Sequence, residues 1–347
     1  MKRPSYMKTQ FSYILFLMAV IGMFVFAGQQ PAAAADSKTI NWKMHCAFPP
    51  SHIFTQAWTA FAEDVDKRTN GQLAIKVYPL SVLGFNMRNT LPALRDNIVP
   101  IAEFVSSISE GLLPELKELS IFYLFGSPEN EAKAYAAIRP EIEKIILDKF
   151  KVKVLATCIG ASTEMFLGKE VNTLDDMKGL KIRTMGSAMG RQAKMLGLVP
   201  TAINSKEVSV ALDRGMVDGM YTSVQGFNNG KFYQFLKVTN MVNQSYVKIF
   251  VGVNASAFDG LPENIQKALV ASGAWLEKEG FAAIRDGNEE KAKKNLLAQG
   301  VTFHTPPPEV LSTMKQVGRE LAEENAAKAG PDAQRRLSMM LQAAGVK

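Results

Sequence analysis

The stretch GLKIRTMGSAMGRQAKMLGLVPTAIN, residues 179–204, sets the fold class. Leu180 and Ile182 alternate with Lys181 and Arg183, the period of a strand. Residues Ala188 to Leu196 then read as a helix, and VPTAIN reads as a second strand. A strand, a short helix and another strand in so few residues form a βαβ unit, which requires a parallel pair. Arg183 closes the first strand just before the helix begins. Two readings compete for it: a solvated surface charge, or a group that holds an anion where strand ends meet helix starts.

The same alternation continues on both sides. TINWKMHCAF is a strand, followed by a helix in which Phe54, Ala57, Trp58, Phe61, Ala62 and Val65 fall at helical spacing. Asn70-Gly71 is a turn before the strand QLAIKVYP. A helix over NMRNTLPALRD leads to the strand IVPIAEFV, and KVKVLATCIG is another strand. After VPTAIN a helix is expected with Asn204 as its cap, Glu207 three residues on, and Gly215 at its end. From Pro262 to about Gln299 there is no further proline and little strand signal, so a helix longer than usual is expected there. TPPPEV is a rigid break before two closing helices.

The chain begins with Lys2, Arg3 and Lys8, then the uncharged apolar run Phe11 to Ala27, then PAAAAD. That order is the layout of a secretory signal peptide with cleavage expected after Ala35, an uncleaved anchor being the alternative, and the apolar run is short for a membrane span, which takes about 20 residues. Residues 36–347 then suit about two domains. Setting aside the three leader cations lowers the net charge from +7 to +4. The charges are interspersed along helices, so no nucleic-acid surface is expected. EEKAKKN, residues 289–295, reads as a solvated helix face with opposite charges three and four apart. For Cys46 and Cys158, buried free thiols are favoured over a bridge, since spacing alone does not bring two Cα atoms together.

Enzyme motifs are missing. The chain has no HExxH, CxxC, GxSxG or GxxxxGK[ST], and GSAMGR does not fit a dinucleotide fingerprint. His45, His52 and His304 lack metal-ligand spacing. Neither a cofactor nor a metal site is expected, and binding without chemistry is the better reading.

The series TLDDMKGLKIRTMGS, GLVPTAINSKEVSVALDRGMVDGMYTS, KFYQFLKVTN and FVGVNASAFDGLPENIQKAL resembles the solute-binding subunits of tripartite ATP-independent periplasmic (TRAP) transporters. The earlier FAEDVDKRTNGQLAIKVYPLSVLG fits the same family, and the resemblance covers nearly all of residues 38–300 in order. It implies an α/β, two-lobed periplasmic binding protein. Each lobe would be a mostly parallel sheet flanked by helices, with a long helix spanning both. The implied division is residues 36–160 with 250–288 in the first lobe, and 161–249 with 289–347 in the second. The implied function is capture of a small organic acid, by hinge closure, for a membrane permease of two subunits; the chain itself would not be an enzyme. The same fold binding a neutral solute such as a polyol is the alternative, and a secreted enzyme is a third.

In that family the arginine of the D-x-x-G-x-K-x-R motif forks onto the substrate carboxylate. Here the motif runs from Asp176 to Arg183, and Arg183 falls in that place. His45 stands at a family ligand-contact position; Phe85 and Asn86 stand where a loop enters the cleft; Val105 and Ser106 lie at the exit of the third strand. Glu164 lies near where many members place an arginine. Tyr221, Thr222 and Ser223 replace the family's E-N-P, whose asparagine contacts ligand, and NQS (Asn243 to Ser245) replaces T-N-H. Ser205 stands where some members pack a phenylalanine on the ligand. These departures weaken any expectation of the usual C4-dicarboxylates, and leave Tyr221, Phe85 and Val105 as candidate apolar walls.

Overall fold

In the computed structural model, which describes residues 39–185, 187–203 and 207–346, the βαβ unit is present. Strand Lys181–Thr184 leads to helix Ser187–Met195 and strand Val199–Ala202, with Lys181 opposite Val199 and Arg183 opposite Thr201 in parallel register. The helix stops because Gly197 takes φ +82°. This lets the Leu198 N–H reach back to the Ala193 carbonyl at 3.1 Å. The expected leader and its cleavage site lie outside the described residues, as do Gly186, Asn204 and Ser205.

The strands in chain order are β1 Ile40–His45, β2 Leu73–Tyr78, β3 Ile101–Val105, β4 Val152–Ser162, β5 Glu164–Leu167, β6 Lys181–Thr184, β7 Val199–Ala202, β8 Gly219–Thr222, β9 Val238–Asn240, β10 Tyr246–Asn254 and β11 Thr302–His304. They form two sheets, ordered β2-β1-β3-β10-β4 and β11-β9-β5-β8-β6-β7. Both are mixed. The parallel pairs among β1–β3 and β6–β8 come from strand–helix–strand units, β9 and β11 pair in parallel through a longer excursion, and β10 and β5 run antiparallel to their neighbours. Each of these two strands enters its sheet directly from the other lobe, so no crossover helix sets its direction.

Each sheet is covered on both faces. On the first, Trp42, Met44, Ile249 and Val251 pack with Trp58 and Phe61 of helix Ile53–Arg68 and Leu269 of helix Glu263–Trp275. Its other face packs Phe104 and Phe250 against Ile138 and Ile142 of helix Pro128–Phe150. On the second sheet, Met165 and Ile182 meet Met189 and Met314 on one side. Phe166 and Met220 meet Phe227 and Leu296 on the other.

The chain crosses between the sheets at paired segments. Thr163 donates its N–H to Ser245 O at 2.8 Å, and Gln244 donates to Thr163 O at 2.9 Å. The long helix after Pro262 is Glu263–Trp275, a π-helical turn Leu276–Gly280, and Phe281–Ala298. It begins in the first sheet's core and ends in the second's, through Leu269 and Leu296. Helix Pro308–Ala329 also serves both, with Met314 and Leu321 in one core and Ala326 in the other.

The closing helix departs from the expected division, which gave all of 289–347 to the second lobe. Pro331–Ala343 packs on Pro128–Phe150, because Ala333, Leu337 and Met340 complete the first lobe's core. Arg336 fixes the helix with a two-bond fork to Glu118, both at 2.7 Å. Cys46 and Cys158 are buried free thiols.

Candidate functional site

The Asp176–Arg183 motif separates into scaffold and site. Asp176 Oδ2 accepts the N–H groups of Asn172 and Thr173 and the Thr173 hydroxyl, closing a capping box. Gly179 takes φ +75° and donates to Gly197 O, where a side chain would be strained. The Lys181 side chain is exposed, while its N–H bonds Asp218. Only Arg183 turns inward from this segment as a charge, at 4 % exposure.

The register decides what Arg183 sits beside. Residues opposite one another on paired strands share a face, and alternate residues change face. Arg183 lies opposite Met220, Phe166 is also opposite Met220, and Glu164 is opposite Thr222. Arg183, Thr222 and Glu164 therefore occupy one face of the second sheet. Tyr221 and Met165 occupy the other. The Arg183 Nε donates to Ile203 O at 3.0 Å and Nη1 to Tyr221 O at 3.3 Å, which fix its plane. Burial pulls its pKa down to about 10.

Glu164 is 1 % exposed. Its Oε2 accepts the Val242 N–H at 2.6 Å and the Asn243 N–H at 2.9 Å, tying the second crossover to β5. Burial raises its pKa to about 7 against the opposing pull of the Asn243 N–H, the Ser162 hydroxyl and the Val242 N–H. Oε1 has no hydrogen bond of normal geometry among the described residues; the Ser162 hydroxyl points to Thr163 O at 3.5 Å.

His45 ends β1 in the first lobe and is fully buried. Its ring stacks on Phe85 with centroids 4.1 Å apart. Neither ring nitrogen has a hydrogen-bond partner among the described residues. Burial lowers its pKa to about 4, so the imidazole is neutral at pH 7.

Other expected positions serve the scaffold. The Tyr221 side chain is no wall beside Arg183. It lies in the core on the opposite face, its hydroxyl 3.2 Å from that of Tyr123. Val105 belongs to the first lobe's core with Ile249, and Ser106 is buried at the start of a one-turn helix. Asn86 caps the turn Met87–Asn89 by accepting the Arg88 N–H. Thr222 is half-buried beside Glu164.

Three features were missed in the sequence. Glu103, fully buried on β3, accepts the Ala47 N–H at 2.8 Å and the Trp58 indole N–H, and so fixes the loop after His45. Burial raises its pKa to about 7. Tyr123, Gln192 and Gln244 join Tyr221 in a buried hydrogen-bond chain between the second lobe and the crossovers. Glu289 lies in the segment read as solvated, yet it accepts the Gln225 N–H at 3.3 Å and has a pKa raised to about 7, first by burial. A signal was available for Glu289. With Ala292 and Leu296, both buried, it makes an i, i+3, i+7 stripe. Among the described residues no group of three His, Cys, Asp or Glu could hold a metal ion.

Two sheets are thus joined by paired crossovers, and a buried arginine stands at a strand end of the second. The chain belongs to the bacterial extracellular solute-binding proteins, family 7, whose model matches residues 44–329. It is 27 % identical over 275 residues to the 2,3-diketo-L-gulonate-binding periplasmic protein YiaO of Escherichia coli, covering 79 % of this chain and 78 % of that protein. It is equally 27 % identical over 279 residues to the C4-dicarboxylate-binding periplasmic protein DctP of Rhodobacter capsulatus, covering 78 % and 82 %. Among solved structures it is similar to DctP7, a Bordetella pertussis extracytoplasmic solute receptor binding pyroglutamic acid. The TM-score is 0.77 at 25 % identity, over 88 % of this chain and 100 % of that one. The family is one of solute-binding proteins rather than enzymes.

Proposed function

We propose that this chain is the periplasmic receptor of a TRAP-type transporter, that it captures a small organic acid, and that Arg183 forks onto the acid's carboxylate. The observation that carries the reading is Arg183 itself. It is a guanidinium almost wholly removed from water at the end of β6 and oriented by two backbone carbonyls. A desolvated cation gains most from an anion of matching planar geometry. The named relatives support the acid, since each carries an acid in its description. His45 and Phe85 would meet the ligand from the first lobe, as a neutral polar group and an apolar wall. The leader is cleaved after Ala35 on this reading, and a two-subunit permease receives the acid.

Thermal-shift screening of the purified protein against carboxylates and polyols tests it. Ligand at 100 times its dissociation constant stabilises by about 2.7 kcal/mol, enough to move a melting point. Stabilisation by one or more acids is expected. Stabilisation by polyols alone would overturn the reading.

A further inference from the structure

We propose that the acid bound here is a monocarboxylate that also carries a nitrogen-bound hydrogen, and that Glu164 Oε1 accepts that hydrogen. The inference rests on the carboxylate reading of Arg183 and names the chemistry at the other end of the same ligand.

Three observations carry it. The first is placement. Glu164 and Arg183 share a face of the second sheet, with β8 alone between their strands and Thr222 directly opposite Glu164. A ligand held by Arg183 therefore lies along the face to which Glu164 points. The second is the state of the carboxyl. Oε2 is saturated by two backbone N–H groups from the crossover, which hold the group in one orientation. Oε1 is equally buried and meets no hydrogen bond of normal geometry among the described residues. Tying down the crossover needs only one oxygen, and the Ser162 hydroxyl, although it pulls on this carboxyl, makes no hydrogen bond of normal geometry to Oε1. A buried acceptor without a donor is costly, and a ligand N–H would remove the cost.

The third observation is charge. Glu289, on the helix that covers this face, lies within electrostatic reach of Glu164 and is anchored by the Gln225 N–H. The buried carboxyl group of Glu164, backed by the half-buried one of Glu289, disfavours a second carboxylate on the ligand. An ammonium, amide or lactam N–H meets them with the opposite polarity. A site built to accept an N–H also rejects the isostere that lacks it, because the acceptor is then left unpaired. The site thus discriminates against dicarboxylates and against oxygen analogues of the same shape.

The test compares matched acids by titration calorimetry on the purified protein: pyroglutamate with its lactone isostere, L-proline with tetrahydrofuran-carboxylate, and succinate as a dicarboxylate. The expected result is that the N–H member of at least one pair binds about 10–100-fold more tightly than its oxygen isostere, and more tightly than succinate. Glu164→Gln, which turns an amide donor or a weaker acceptor toward the ligand, should erase that ratio. Arg183→Ala should weaken both members together. Equal binding of the isosteres, tightest binding of succinate, or no binding of any acid overturns the inference. If Arg183→Ala still abolishes acid binding while the isosteres bind alike, the carboxylate reading stands and this one falls. If Arg183→Ala binds every acid unchanged, the carboxylate reading itself has failed. Should Glu164→Gln lack a cooperative melting transition, the wild-type isostere ratio decides alone.

Discussion

On the proposed reading, Arg183→Ala removes one partner of a buried charged pair with the ligand, a loss of roughly 2–5 kcal/mol in binding, or about 30-fold to a few thousand-fold in affinity. Arg183→Lys keeps the charge but not the fork, and should fall between wild type and alanine in the same calorimetric titration. Binding by the alanine variant within about fivefold of wild type would make Arg183 a bystander, since exposed pairs contribute roughly 0–1 kcal/mol. Glu103 gives a prediction without ligand. Its pKa is raised by burial from 4.5 to about 7, so between those values the folded protein holds a proton that the unfolded chain has released. Its contribution to stability is therefore full below pH 4.5 and is lost as pH rises through 7. Glu164 and Glu289, raised to about 7, act in the same direction. His45 and His52, lowered to about 4, act oppositely, adding stability as pH rises from about 4 to 6.5. In urea melts, Glu103→Gln should remove up to about 3 kcal/mol of the decline between pH 5 and 8; an unchanged slope would show that Glu103 is ionised throughout. The place of Arg183 at a strand end was legible in the sequence because its motif is local, eight residues long with the scaffold roles adjacent. Glu164 was placed but its state was not, because the N–H groups that orient it come from Val242 and Asn243, 78 and 79 positions away.

At the scale of elements, helices and strands followed from apolar spacing, and the long helix after Pro262 was legible from the absence of breakers. Which body each helix joins was not, because that depends on tertiary fit. Gly273 illustrates why. A methyl at this position would fall on the Leu155 carbonyl oxygen, so the residue allows helix Glu263–Trp275 to lie directly on β4. Intrinsic propensity favours alanine over glycine in a helix by about 1 kcal/mol. Overpacking against backbone costs about 1–3 kcal/mol, and should win here. Gly273→Ala should lower the urea midpoint; an increase would mean that the helix lifts away without penalty. Gly318 meets the Phe122 carbonyl in the same way on helix Pro308–Ala329, so alanine there should behave alike. The mixed sheets were also beyond a local reading, since a strand's direction is set by the route the chain takes to it, and β5 and β10 arrive from the opposite body.

At the scale of the whole molecule, two bodies joined at Thr163 and Gln244 should close on ligand by small rotations at those paired segments. Small-angle scattering with a saturating acid should show a smaller radius of gyration than without. An unchanged profile despite confirmed binding would mean a preformed, rigid site. The order of the first sheet has a separate consequence, which concerns how the chain is made. β10 sits between β3 and β4, yet it follows them in sequence by the whole of β5 to β9. Until Tyr246–Asn254 emerges, β3 and β4 each present a row of unpaired backbone groups, the kind of edge that recruits other chains. The first body to be synthesised is thus unable to finish folding until β5 to β9 of the second have been made. Its closing pairings span long sequence separations and form slowly. A nascent or exported chain passes through a stage in which the first sheet is an open template and the second still lacks β11 and the helices that carry Leu296 and Met314. That interval is where holding chaperones would matter most, and where misassembly would begin.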